Sequence, residues 1–240
     1  MMNRQVSGFL SSIPVVTKNI IIVNIIFWLA SLTLPKIGID LIELLGLHYF
    51  QASDFKAFQL LTYMFLHDTG SLFHLFFNMF AVYMFGRVLE NVWGPKRFLT
   101  FYLVTGIGAA IIQEAVWAFT LRDVIHSSYE MINMGGNNIV TKPEFLNYFV
   151  TIGASGAVFG ILLAFGMLFP NVPLYFMFIP VPIKAKYFVI IYGLMELFLG
   201  IGNFGGDNIA HFAHLGGMLF GFILIKYWQK KDKDNGRFFY

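Results

Sequence analysis

Six apolar stretches, each close to the length that crosses a bilayer, constrain this chain more than any other feature. They run roughly over Asn19–Leu34, Leu72–Asn91, Phe98–Thr120, Tyr148–Phe169, Tyr187–Ile201 and Asn208–Trp228. A transmembrane helix needs roughly 20 predominantly apolar residues. The sequence therefore predicts an all-α polytopic membrane domain of six transmembrane helices over residues 19–228, between a segment 1–18 and a tail 229–240. Charged residues make up 12% of the chain and hydrophobic ones 58%. That is about half the charge of an average soluble domain, which excludes disorder and argues against a water-soluble globule.

The few charges set an orientation. With the N-terminus in the cytoplasm, 12 of the 16 Lys and Arg residues fall on the inner side, and only Lys36, Lys56, Arg122 and Lys142 fall outside. Such a bias follows the positive-inside rule and puts both termini in the cytoplasm. Because the basic residues sit between apolar blocks and in the tail, the net charge of +3 reflects topology and not a nucleic-acid surface. The first apolar run continues to Leu34 with no small-residue cleavage site behind it, so a retained helix is expected there. No cysteine is present, which removes disulfides, thiolate metal sites and a cysteine nucleophile. The absence of an internal repeat gives an inverted-repeat transporter no support. The sequence sets no oligomeric state.

Polar groups inside spans are costly and usually face the bundle interior. Those that need a reason are His74, Asn78, Glu90, Gln113, Glu114, Ser155, Glu196, His211 and His214. At 1.5 Å per residue, His74 and Asn78 lie roughly 3 and 9 Å below the outer end of the second span. Ser155 lies roughly 10 Å below the start of the fourth span and His214 roughly 9 Å below the start of the sixth. A serine, a histidine and an amide–histidine pair thus reach similar depth from three helices. These are the parts for acyl transfer. A serine hydroxyl needs a base to take its proton, histidine is the usual base near neutral pH, and the tetrahedral intermediate needs fixed donors. His74 and Asn78 are four apart and share a helix face. The segment Gly153-Ala154-Ser155-Gly156 and the pair Gly217 and Gly221 also read as small-residue contacts that let helices pack closely.

Taken together, these residues resemble the rhomboid family of intramembrane serine proteases, over roughly Phe58 to Gly221. The resemblance rests on HLFFN (His74–Asn78), on Glu90 and Gly94 followed by Arg97-Phe98, on G-x-S-G (Gly153–Gly156), and on A-H-x-x-G-x-x-x-G (Ala213–Gly221). It implies a six-helix rhomboid-like bundle that cleaves transmembrane segments of membrane proteins near the outer face with a Ser–His dyad, without cofactor or metal. Ser155 would be the nucleophile and His214 the base, with His74, Asn78 and the Ser155 N–H lining the oxyanion hole beside Gly153. Glu90 would make a structural polar contact. Phe159 stands where many relatives carry a tyrosine that packs on the histidine. The implied partners are transmembrane substrates and the lipid bilayer. A bacterial cytoplasmic membrane is expected, because the N-terminus lacks an Arg-rich amphipathic presequence. Where the family often has Trp-Arg in the first outer connection, this chain has Phe58-Gln59.

Rival assignments fare less well. His211 shares a face with His214, and Asp207 could orient it, but His211 sits higher than Ser155. Asp207 reads as a charge complementing a helix N-terminus. Lys184 and Lys186 lie on the cytoplasmic side, too far for a Ser–Lys dyad. H-E-x-x-H is absent. A zinc site from His74, His211 and His214 suffices on ligand count, yet the sequence places no carboxylate to hold them, and Glu114 and Glu196 have no assigned role. A catalytically inactive relative that binds membrane helices is the alternative function. A channel would need polar residues continuing to the cytoplasmic side, where only Glu90 remains.

Overall fold

The computed structural model describes residues 12–136, 138–176, 179–202 and 210–235. Helix α1 (Val15–Thr33) is followed by a short tight helix, then α2 (Leu41–Leu45), strand β1 (Leu47–His48) and α3 (Gln59–Thr62). Helix α4 (Leu72–Ala81) passes through one wide turn at Val82–Gly86 into α5 (Arg87–Trp93), and Gly94 separates that rod from α6 (Pro95–Thr120). A connection with α7 (Arg122–His126), β2 (Met131–Asn133), β3 (Ile139–Thr141), α8 (Lys142–Asn147) and β4 (Val150–Thr151) leads to α9 (Ser155–Leu168). The ribbon β5 (Pro173–Phe176) and β6 (Ile179–Lys184) then leads to α10 (Ala185–Gly202) and α11 (His211–Asp234). Helices therefore occupy all six apolar stretches. Four of these rods are long and apolar enough to cross a membrane: Val15–Ile37, Leu72–Trp93, Pro95–Thr120 and Ala185–Gly202. Helix α9 is apolar but has 14 residues, and α11 ends in a lysine-rich third.

Two expectations change. The connections are not all helical: among the described residues three two-stranded antiparallel ribbons, β1–β4, β2–β3 and β5–β6, tie them together. Prolines at 173, 180 and 182 prevent helix in the last ribbon and are tolerated because both its strands are edges. The fourth helix also begins at Ser155 and not near Tyr148. Val150 and Thr151 pair with His48 and Leu47 instead, and a short non-helical link through Gly153 leads to Ser155.

Large apolar side chains lie on the outside of the bundle as well as in its core, where Phe98, Phe101 and Tyr102 are fully buried. Phe73, Phe76, Phe77 and Phe80 are exposed on α4, and Ile190, Ile191, Leu194, Phe198 and Ile201 on α10. An apolar girdle of this size suits lipid, not water. Helices α6, α9 and α11 form the packed centre. There a side chain at Gly160 would strike Thr105, one at Gly108 would strike Phe220, and one at Gly216 would strike Ile112. Close helix approach through small residues is the usual means of packing where lipid removes the hydrophobic drive.

Buried polar groups fasten the frame. The Glu90 carboxylate accepts from Val16 N (2.9 Å), Thr17 N (2.7 Å) and Thr17 Oγ1 (2.8 Å), and so caps the first turn of α1 with a negative charge. Replacing Glu90 with alanine removes three bonds to a charged acceptor, and should lower stability by about 2 kcal/mol. Thermal unfolding in detergent reads this, and an unchanged midpoint would contradict it. Arg97 makes a bidentate pair with Asp232 (2.8 and 2.7 Å), joining the start of α6 to the end of α11. Glu114 accepts from Phe50 N (2.9 Å) and holds the first connection against α6. Gln59 is fully buried; it accepts from Lys56 N and donates to Asp54 O, both at 3.0 Å, which folds that connection on itself.

Candidate active site

Ser155 is the first residue of α9, and the approach to it is shaped by Gly153. The Gly153 N–H donates to Tyr63 O (3.0 Å), and its φ is +127°, a conformation side chains disfavour. A Cβ there would also lie 3.0 Å from His74 Nε2 and 3.6 Å from Ser155 Oγ. The space left by the missing side chain of Gly153 thus borders both the His74 ring and the hydroxyl. The first N–H groups of a helix have no partner within it, so the turn beginning at Ser155 presents donors and the positive end of a helix dipole.

Helix α11 brings the imidazole. A Cβ on Gly217 would fall inside the backbone carbonyl of Gly156, so the backbones of α9 and α11 touch at this point. His214 lies one turn before Gly217, and its Nε2 stands 2.8 Å from Ser155 Oγ. Ser155 is half-buried and His214 is 7% exposed. Phe159, one turn after Ser155, stacks on His214 with ring centroids 4.2 Å apart and an interplanar angle of 6°. Tyr192 of α10 stacks on the far face of the same site, against Phe159 at 5.1 Å. The imidazole plane is therefore fixed by rings as well as by hydrogen bonds.

His214 Nδ1 meets a carboxylate, which sequence reasoning did not place. Glu196 Oε2 lies 2.8 Å from His214 Nδ1 and 2.7 Å from His211 Nδ1. The expectation that no carboxylate orients the histidines is thus corrected. Two glycines allow it: a Cβ at Gly193 would sit 3.2 Å from Met218 Cε, and one at Gly200 would sit 3.2 Å from His211 Cβ. Gly193, Glu196 and Gly200 are spaced three and four apart, on one helix face. That spacing was the available signal. His211 is directed at Glu196 in this arrangement, and Asp207 lies outside the described residues.

The remaining candidates, His74 and Asn78, lie on α4. His74 Nδ1 accepts from Asp68 N (3.3 Å), which leaves Nε2 toward Gly153. Asn78 is buried, and its Nδ2 donates to His74 O (2.8 Å). An amide nitrogen carries two hydrogens, so one donor remains. His67, fully buried and edge-on to His74 at 5.0 Å, is held down to about 3 by burial and by the neighbouring His74 ring, so it stays neutral. Glu196, His211 and His214 also offer three ligand atoms within 4.8 Å of one another, whereas His74 is not part of that group. A cation there would have to displace the Nδ1 hydrogens that face the carboxylate.

A polytopic membrane bundle built around a hydrogen-bonded serine and histidine is the class that fold and site define. Comparison with known proteins specifies it further. The rhomboid domain model matches residues 54–230, and the chain belongs to the rhomboid family. It is 31% identical over 188 residues to the mitochondrial RHOMBOID-like protein 12 of Arabidopsis thaliana, covering 75% of this chain and 48% of that one. It is 32% identical over 101 residues to the rhomboid protease AarA of Providencia stuartii, covering 42% of this chain and 30% of that one. A rhomboid-like protease 3 of Toxoplasma gondii is 26% identical over 199 residues, covering 82% and 61%. The chain spans about half the length of the curated plant relatives it matches, 47% and 48% in two cases. These relatives are named for mitochondria and chloroplasts as well as coming from a bacterium, so they do not carry the expectation of a bacterial membrane. The protein is an integral, multi-pass membrane protein of this family.

Proposed function

We propose that the protein is an intramembrane serine endopeptidase that cuts transmembrane segments of other membrane proteins. The observation that carries this reading is the 2.8 Å contact between Ser155 Oγ and His214 Nε2 inside a lipid-facing bundle. In the proposed reaction Ser155 Oγ attacks a peptide carbonyl while His214 Nε2 takes its proton. The negative oxygen that forms is met by the N–H of Ser155 at the start of α9, by His74 Nε2–H and by the second Asn78 amide hydrogen. His214 then protonates the leaving amine, and water attacks the acyl-enzyme with the same imidazole as base. An intact substrate helix hides its carbonyls in its own hydrogen bonds, so cleavage favours substrates with helix-breaking or small residues near the scissile bond.

The topology that goes with this reading has six crossings and both termini in the cytoplasm, supported by the charge asymmetry. It puts Ser155 toward the outer leaflet. The test is cleavage of a single-span substrate in reconstituted vesicles. Ser155→Ala should abolish cleavage and leave the thermal midpoint in place; cleavage by that variant would remove Ser155 from the mechanism. A folded wild type that binds the substrate helix and never cuts it would favour the inactive, helix-binding alternative.

A further inference from the structure

Resting on that protease reading, we propose that Glu196 is a positioning residue, which makes the working unit a Ser155–His214–Glu196 triad spread over α9, α11 and α10, with His211 as a second donor that clamps the carboxylate.

The argument begins with what each group can offer. An ionised carboxylate only accepts hydrogen bonds. Glu196 Oε2 stands at bonding distance from Nδ1 of both His214 and His211, so both Nδ1 atoms carry hydrogen. This fixes the tautomer of His214. With hydrogen on Nδ1, Nε2 has a lone pair, and that lone pair faces Ser155 Oγ at 2.8 Å. The opposite tautomer would leave Nδ1 and the carboxylate as two facing acceptors and Nε2 unable to take the serine proton. A third group that selects the productive tautomer and stabilises the imidazolium that follows is what a serine–histidine pair otherwise lacks.

A purely structural reading explains less. Glu196 is 5% exposed on a helix whose other flank meets lipid, and a charge in that setting is expensive. A neutral glutamine could pack in the same place at lower cost. The cost is reduced by the two N–H donors converging on one oxygen, and Gly193 and Gly200 bring α10 close enough for both. The short bond from His211 to Glu196 holds the carboxylate in line with His214. Among the described residues, the titratable groups near Glu196 are His211 and His214 of α11 and Tyr192 of its own helix, and none of these carries a permanent charge that could replace it.

The proposal is tested on the full-length protein in lipid vesicles with the single-span substrate. Wild type and Ser155→Ala are run first; a folded wild type that neither cleaves nor reacts with a fluorophosphonate overturns the protease reading and this inference with it. Given cleavage, Glu196→Gln should lower kcat by roughly 10²–10⁴-fold with KM within about twofold of wild type. The rate of fluorophosphonate labelling at Ser155 should fall in parallel, and the thermal midpoint should hold. Glu196→Asp, which keeps the charge, should recover part of the lost kcat. An unchanged kcat in Glu196→Gln would overturn the proposal, as would a loss seen only in KM or no recovery in Glu196→Asp. If Glu196→Gln does not fold, Glu196→Asp decides alone: a lower kcat at unchanged KM supports the proposal, and wild-type kcat overturns it.

Discussion

Alanine at Gly217 is expected to cost the protein most of its activity, although Gly217 touches no substrate. The reason is the contact between the α9 and α11 backbones. A methyl group there has no room beside the Gly156 carbonyl, so the helices must part by roughly an ångström before ordinary contact distance is restored. Ser155 and His214 sit on those two helices, one within a residue of Gly156 and the other a turn from Gly217. Their 2.8 Å contact would stretch beyond the range of a hydrogen bond. Misplacement on that scale costs roughly 10²-fold in rate, and overpacking costs about 1–3 kcal/mol of stability. Cleavage rate and unfolding midpoint should fall together in Gly217→Ala, and leucine should prevent folding. Wild-type turnover in Gly217→Ala would show that the helix contact does not set the dyad.

His214→Ala should have a larger effect on the chemistry and a smaller one on the fold. It removes the base, and turnover should drop on the order of 10⁴-fold or more. It also takes one of two donors from a buried carboxylate and one ring from the stack with Phe159 and Tyr192, so a modest loss of stability is expected. His211→Ala leaves the Nε2–Oγ contact intact and should be far milder. Equal losses in the two variants, read as initial cleavage rates in vesicles, would mean that the histidines had been assigned wrongly.

Much of this was legible in the residues because lipid simplifies the problem. Blocks of apolar sequence can only be helices in a bilayer, and polar groups within them stand out. Ser155, His214, His74 and Asn78 stand out for that reason; His214 Nε2 meets Ser155 Oγ, the His74 ring lies beside Gly153, and Asn78 bonds back to the His74 carbonyl. Glu90 was read as a structural contact, and it caps α1. What the sequence hid was partnership across helices. Spacing shows that Gly193, Glu196 and Gly200 share a face, but not which helix that face meets. Arg97 and Asp232 are 135 residues apart, and no local pattern pairs them. Depth counting also misjudged the fourth helix. It takes helical rise from Tyr148, whereas β4 pairs with β1 and a non-helical link through Gly153 leads to Ser155. Prolines at 173, 180 and 182 are incompatible with a helix interior but do not indicate the ribbon β5–β6 that forms there.

Active-site labelling tests the centre of the account most directly. A fluorophosphonate reacts with a serine hydroxyl that has a base beside it, and needs no knowledge of the natural substrate. Purified protein in detergent and in lipid should be labelled once per chain, at Ser155 by peptide mapping. Labelling should disappear in Ser155→Ala and slow severely in His214→Ala. Equal labelling of Ser155→Ala, or no labelling of a folded wild type in either medium, would contradict a hydroxyl activated by His214.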